Sequence, residues 1–90
     1  MSHTVKNKEL LLARVRRIAG QIAALEKTLV SEEGCSVVLQ RIAGIRGALN
    51  GLMAEVLEEH LDTHVVDGRS APARRKAGKE LLDVVRTYLK

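Results

Sequence analysis

From Ser36 to Val66 the chain reads SVVLQRIAGIRGALNGLMAEVLEEHLDTHVV. The apolar residues Val38, Ile42, Ile45, Leu49, Leu52 and Val56 recur in it at steps of 4, 3, 4, 3 and 4. Such steps keep one stripe on a single face of a helix, and nothing in the stretch alternates with period two, as a half-buried strand would. The spacing predicts one long helix over residues 36–66, about 45 Å for thirty residues.

Outward from this helix the pattern breaks twice. On one side lies Ser31-Glu32-Glu33-Gly34. Before it Leu11, Val15, Ile18, Ile22, Leu25 and Leu29 repeat the same steps, which predicts a first helix over residues 5–30. On the other side lies Asp67-Gly68-Arg69-Ser70-Ala71-Pro72, which holds the one proline. Ser70 suits an N-cap, and Pro72 suits a first turn, where a missing N–H costs little. A third helix is predicted over residues 72–89, carrying Leu81, Leu82, Val84, Val85, Tyr88 and Leu89. The short break at 31–34 implies that the first two helices run antiparallel. The fold class is all-α: a single domain over residues 1–90, built as a three-helix protomer.

Ninety residues at 9.9 kDa, with Tyr88 the one aromatic and Cys35 the one cysteine, exclude several classes. A disulfide scaffold or a zinc ribbon needs more cysteines. The hydrophobic fraction of 46% is too high for a disordered chain. No apolar run approaches the ~20 residues of a bilayer span, and the start lacks a signal-peptide core, so no membrane is expected and the location expected is cytoplasmic. A core of Leu, Ile, Val and Ala in so short a chain is small, which points to oligomerisation. Two neighbours within the chain cannot cover the whole stripe of the second helix, so part of it should meet another subunit. The 4-3 seam suits a left-handed bundle. Gly44, Gly47 and Gly51 each cost about 1 kcal/mol against alanine in an exposed helix, and their clustering points to close approach at an interface. Gly47-x-x-x-Gly51 has the spacing of a membrane dimerisation motif, but Arg46 and Asn50 exclude that setting.

The net charge of +4 is unevenly spread. Residues 1–30 carry six basic and two acidic side chains, residues 31–68 two and seven, and residues 69–90 seven and two. Arg14, Arg16 and Arg17, followed by Gln21, cluster on the first helix, with Lys6 and Lys8 ahead of them. Arg14 and Arg17 share a face, and Arg16 points elsewhere. Arg69, Arg74, Arg75, Lys76 and Lys79 crowd the C-terminal region. Basic ends around an acidic middle fit a phosphate-backbone footprint. Single-strand stacking has no aromatic platform here, and no helix-turn-helix is evident.

Cys35 continues the seam of the second helix at its start, and His60 continues it at its end. His64 lies one turn beyond His60 on the same face, and such a pair can chelate one metal ion. Cys35 is 25 residues before His60, roughly 37 Å along a helix, so the two cannot share a ligand within one chain. Two copies of the helix packed antiparallel about a two-fold axis would bring Cys35 of one chain to His60 and His64 of the other, twice per dimer. His3 and the Ser2 amine, exposed if Met1 is removed, have the reach to join such a site. One thiolate, up to three imidazoles and an amine suit Ni(II), Co(II) or Zn(II), whereas Cu(I) would prefer more sulfur. Glu58, Glu59 and Asp62 add negative charge around the histidines. Nothing in this set is needed for folding.

The stretch Arg14-Val15-Arg16-Arg17-Ile18-Ala19-Gly20-Gln21, then Cys35, then Ile45-Arg46-Gly47-Ala48-Leu49-Asn50-Gly51-Leu52-Met53, with His60 ending the second helix, resembles the CsoR/RcnR/FrmR family of bacterial repressors. Members sense copper, nickel and cobalt, or formaldehyde. The resemblance covers nearly the whole chain and is weakest at residues 66–80. It implies an antiparallel helix-bundle dimer that pairs into a homotetramer, bound to double-stranded operator DNA as the apo form and released by its effector. It also implies a DNA face on the first helix, which by position is Arg14, Arg16, Arg17 and Gln21. His3, Cys35, His60 and His64 resemble the ligand set of the nickel/cobalt branch, in which the N-terminal amine, here that of Ser2, also ligates. Copper sensors carry a second cysteine where this chain has His64. Formaldehyde sensors typically carry proline after the initiator Met, where this chain has Ser2. Even so, Arg14–Arg17, Gly51-Leu52-Met53-Ala54-Glu55-Val56-Leu57-Glu58 and the ending Tyr88-Leu89-Lys90 look like that branch, and a Ser2 amine could still be crosslinked to Cys35 by the aldehyde.

Two other classes compete with a repressor. An enzyme using Cys35 as nucleophile would need oxyanion donors and a loop-lined pocket, which three helices do not supply, so none is expected. A metal-storage or helix-adaptor module would need no operator, and salt-sensitive specific DNA binding separates it from a repressor.

Overall fold

The computed structural model describes residues 7–88. They form three helices and no strand: α1 (Lys8–Val30), α2 (Cys35–His60), which continues into a π-helical turn (Leu61–Val66), and α3 (Ala71–Tyr88). The three predicted helices are present. α1 opens at Lys8 after Asn7 in a turn, α3 opens at Ala71, and the long second helix reaches Val66 only by widening its last six residues.

Local chemistry explains the breaks. α1 closes with Glu33 N–H donating to the Thr28 carbonyl (3.2 Å) and Glu32 N–H to the Leu29 carbonyl (3.2 Å). Those two bonds, with Glu32 at φ 54°, make a Schellman cap that holds glutamate where glycine is usual. Thr28, 1% exposed, satisfies its hydroxyl by donating to the Ala24 carbonyl (3.0 Å). α3 opens as the sequence predicts: Ser70 Oγ accepts from Ala73 N–H (3.2 Å), and Pro72 sits in the first turn.

The chain comprises two compact units. The first, residues 8–53, holds α1 and most of α2 in antiparallel register. The Arg14 guanidinium lies 3.4 Å from where a Cβ on Gly51 would be, and the Gln21 amide lies 3.9 Å from the same point on Gly44. Gly44 and Gly51 thus sit beneath side chains of α1, while a Cβ built on Gly47 would meet no other element within 4 Å among the described residues. The second unit, which among the described residues is Asn7 with residues 54–88, packs α3 against the π turn.

Both seams are split lengthwise. On α1 Leu11 and Ile18 are buried and Leu25 half-buried, but Val15, Ile22 and Leu29 are exposed. On α2 Val38, Ile45 and Leu52 are half-buried, whereas Ile42 and Leu49 are exposed. Val56, the last of the α2 seam, is half-buried, so every second position is left bare from Leu11 to Leu29 and from Val38 to Leu52. Among the described residues only Leu11, Ile18 and Ala77 are buried apolar side chains, and α2 contributes none. No helix is long and apolar enough to cross a membrane.

Candidate functional site

The histidine pair lies at the change from α-helix to π turn. His60 is the last residue of α2 and His64 the fourth of the turn. Their rings stand 5.1 Å apart between centroids and 50° from parallel. The turn is defined by the bond from Asp67 N–H to the Asp62 carbonyl (3.0 Å), five residues back. π-helical turns are rare and recur at functional sites.

Three contacts hold this end in place. His60 Nε2 lies 3.1 Å from the Ala77 carbonyl of α3, which can only accept, so this nitrogen carries the proton. Arg74 donates from Nε to the Val65 carbonyl (2.8 Å), filling an acceptor that the end of the helix leaves open. Asn7 Nδ2 donates to Glu59 Oε1, next to His60 in sequence, which ties the residue before α1 to the histidine end. A cavity of about 230 Å³ is lined by His60, His64, Ala73, Lys76, Ala77 and Glu80.

His60 and His64 are thus brought together as their spacing predicts. Cys35 is the first residue of α2, with His60 the last, and its thiol is exposed. Among the described residues no three His, Cys, Asp or Glu side chains of one chain gather as a metal site. His3 and Ser2 lie outside the described residues.

The basic side chains of α1 differ in burial, and not along the line that paired Arg14 with Arg17. Arg14 is half-buried, Arg16 and Arg17 are exposed, and Gln21 is half-buried. A groove of about 570 Å³ opens beside Arg17 and Gln21, and across it stand Gln40 and Arg41 of α2. Sequence reasoning missed Arg41, because it sits in the acidic middle of the chain. It also missed the Ala77 carbonyl, a backbone group that no side-chain pattern marks.

Comparison with known proteins adds a family. Residues 7–87 match the model of a family described as metal-sensitive transcriptional repressors. The transcriptional repressor RcnR of Salmonella paratyphi B is 47% identical, and that of Citrobacter koseri 44%, each over the full length of both chains. An uncharacterised protein from the bioA 5′ region of Serratia marcescens is 50% identical, again over both full lengths. Among solved structures, the E64H variant of the formaldehyde-responsive regulator FrmR of Salmonella enterica serovar Typhimurium is 46% identical. It matches with a TM-score of 0.83 over 92% of this chain and 94% of its own.

Proposed function

The chain belongs to the metal-sensitive transcriptional repressor family, and from that premise we propose that it holds operator DNA as the apo protein and lets go when Ni(II) or Co(II) is captured at a site shared by two subunits. Proteins of this family are repressors rather than enzymes.

One observation carries the reading: two imidazoles stand 5.1 Å apart with no third donor gathered beside them among the described residues. The exposed Cys35 thiol is at the far end of the same helix. A second copy, antiparallel about a two-fold axis, completes the set with its own Cys35. Thiolate and imidazole together suit Ni(II), Co(II) or Zn(II). His60 ligates through Nδ1, because Nε2 is engaged by the Ala77 carbonyl, which orients the ring from behind. The Asn7–Glu59 bond supports the part given to the N-terminal arm. His3 is four residues before Asn7, and four residues span at most about 14 Å. That length lets His3 and the Ser2 amine reach the histidine end.

The DNA face is Arg14, Arg16, Arg17 and Gln21 of α1, working as a homotetramer. Holding the N-terminal arm at the site constrains α1, which begins one residue after Asn7. Coupling between two such sites is typically 1–3 kcal/mol, about 5- to 150-fold in operator affinity.

The test is fluorescence anisotropy of operator DNA with Ni(II), Co(II), Zn(II), Cu(I) and formaldehyde side by side. Nickel or cobalt should release DNA from the wild type, and neither should do so from Cys35→Ala or His64→Ala. Metal-driven release that persists in Cys35→Ala overturns the shared site. A second reading, formaldehyde sensing, is favoured by the exposed Cys35 and by the likeness to a formaldehyde-responsive regulator. There an amine N–H, a thiol S–H and CH2O condense to N–CH2–S with loss of water. Mass spectrometry would show a gain of about 12 Da joining Ser2 to Cys35.

A further inference from the structure

We propose that the groove between α1 and α2 seats a backbone phosphate of double-stranded DNA, with Arg41 as a DNA contact on the second helix; this rests on the repressor reading above.

The groove is lined by Arg17, Gly20 and Gln21 from α1 and by Gln40, Arg41 and Gly44 from α2. Its lining contains two guanidinium groups, two amides and no carboxylate. Guanidinium groups pair with phosphate oxygens through directed N–H bonds, and amide side chains can add further donors. Arg17 and Arg41 are both exposed, so each keeps its charge in reach of a ligand.

Two features show a groove kept open. Glycine costs about 1 kcal/mol against alanine in a helix interior, yet two glycines line this one. A Cβ at Gly20 would meet nothing within 4 Å, and one at Gly44 would meet only the Gln21 amide at 3.9 Å. Packing within the chain does not demand either glycine, so the space they leave is there to be filled. In addition, Gln21 Oε1 is buried with no hydrogen-bond partner. This oxygen accepts and a phosphodiester has no donor, so the two would meet through a water that donates to both.

A phosphodiester is the favoured occupant because the groove continues the α1 row of Arg14, Arg17 and Gln21. A carboxylate from a second copy is the competitor. A phosphate contact positions the duplex and reads no sequence.

The experiment measures apo-protein binding to operator and scrambled duplexes across a salt series, with molar mass determined by light scattering. Arg41→Ala should lower the slope of log K against log salt by about 1, and weaken binding about eight-fold at 0.1 M salt, for each subunit whose Arg41 meets the duplex, equally on both duplexes. Arg41→Lys, which keeps the charge, should retain the slope. Wild-type affinity and slope in Arg41→Ala, with Arg17→Ala impaired, would overturn the groove and leave the α1 face standing. A changed molar mass in Arg41→Ala would also overturn it, by showing that the groove belongs to a subunit interface. If the wild type itself shows no salt-dependent duplex binding, the DNA reading fails and the groove falls with it.

Discussion

Gly68 is the position where the histidine end has no room to spare. A Cβ built there would lie 2.3 Å from Arg74 Cγ and 2.6 Å from the His64 carbonyl oxygen. No glycine among the described residues has a positive φ, so space rather than backbone conformation demands glycine here. Ordinary contacts begin near 3.4 Å, so Gly68→Ala must push the His64 carbonyl back by roughly 0.8 Å or distort the loop. Forcing one methyl into such a site typically costs about 1–3 kcal/mol. Arg74 must move as well and give up its bond to the Val65 carbonyl, which at an exposed site is worth about 1 kcal/mol. The total is about 2–4 kcal/mol, a large part of the ~5–15 kcal/mol of a small domain. For a chain of this size it lowers Tm by about 10 °C or more at fixed protein concentration.

Circular-dichroism melts of Gly68→Ala, Arg74→Ala and the double variant check the origin of the loss. Arg74→Ala removes the Cγ that the new methyl would strike, so the double variant should be less destabilised than the sum of the singles. The surviving clash is with the backbone carbonyl of His64, so nickel affinity should fall in Gly68→Ala and remain low in the double variant. A Gly68→Ala protein that melts within 2 °C of the wild type (about 0.5 kcal/mol or less) would refute the reasoning, and so would strictly additive effects.

Other substitutions probe separate links of the argument. Glu32→Gly removes the left-handed strain from the cap of α1 and should stabilise by up to about 1 kcal/mol in a denaturant titration. Ser70→Ala deletes the acceptor for Ala73 N–H and should destabilise α3 by about 0.5–2 kcal/mol in the same assay. Leu49 is 47% exposed in the lone chain. Were the protein a monomer, Leu49→Asp would change stability by no more than about 0.5 kcal/mol, whereas in a subunit seam it should dissociate the oligomer, which size exclusion with light scattering resolves.

The helices were legible in the sequence because their signals are periodic and local. The 4-3 steps from Val38 to Val56 and the Ser70–Pro72 start placed α2 and α3 to within a residue or so. Other features escaped for physical reasons. Six residues are too few for hydrophobic spacing to tell a π turn from an α turn, so Leu61–Val66 read as ordinary helix. In the break after α1 the left-handed residue is Glu32, although Gly34 is the glycine there, because the cap is set by which carbonyls are left over. The pairing of His60 with His64 was plain from their spacing. The Ala77 carbonyl behind His60 and the position of Arg41 beside Arg17 depend on how elements pack, and residue spacing along one helix does not encode that.

Two independent features of α2 call for a second chain. One is chemical: Cys35 opens the helix and His60 closes it, too far apart to share a ligand. The other is apolar: Ile42 and Leu49, between them, are 40% and 47% exposed, uncovered by the described residues. A two-fold axis through the middle of α2 meets both demands with one operation. On the proposed reading it would bury the bare half of the seam against its copy and carry each Cys35 toward the other chain's His60 and His64. In that arrangement the surface that would hold the dimer together and the ends that would gather the donors belong to the same helix. A change in the fit at either end would then act on the packing of the whole pair.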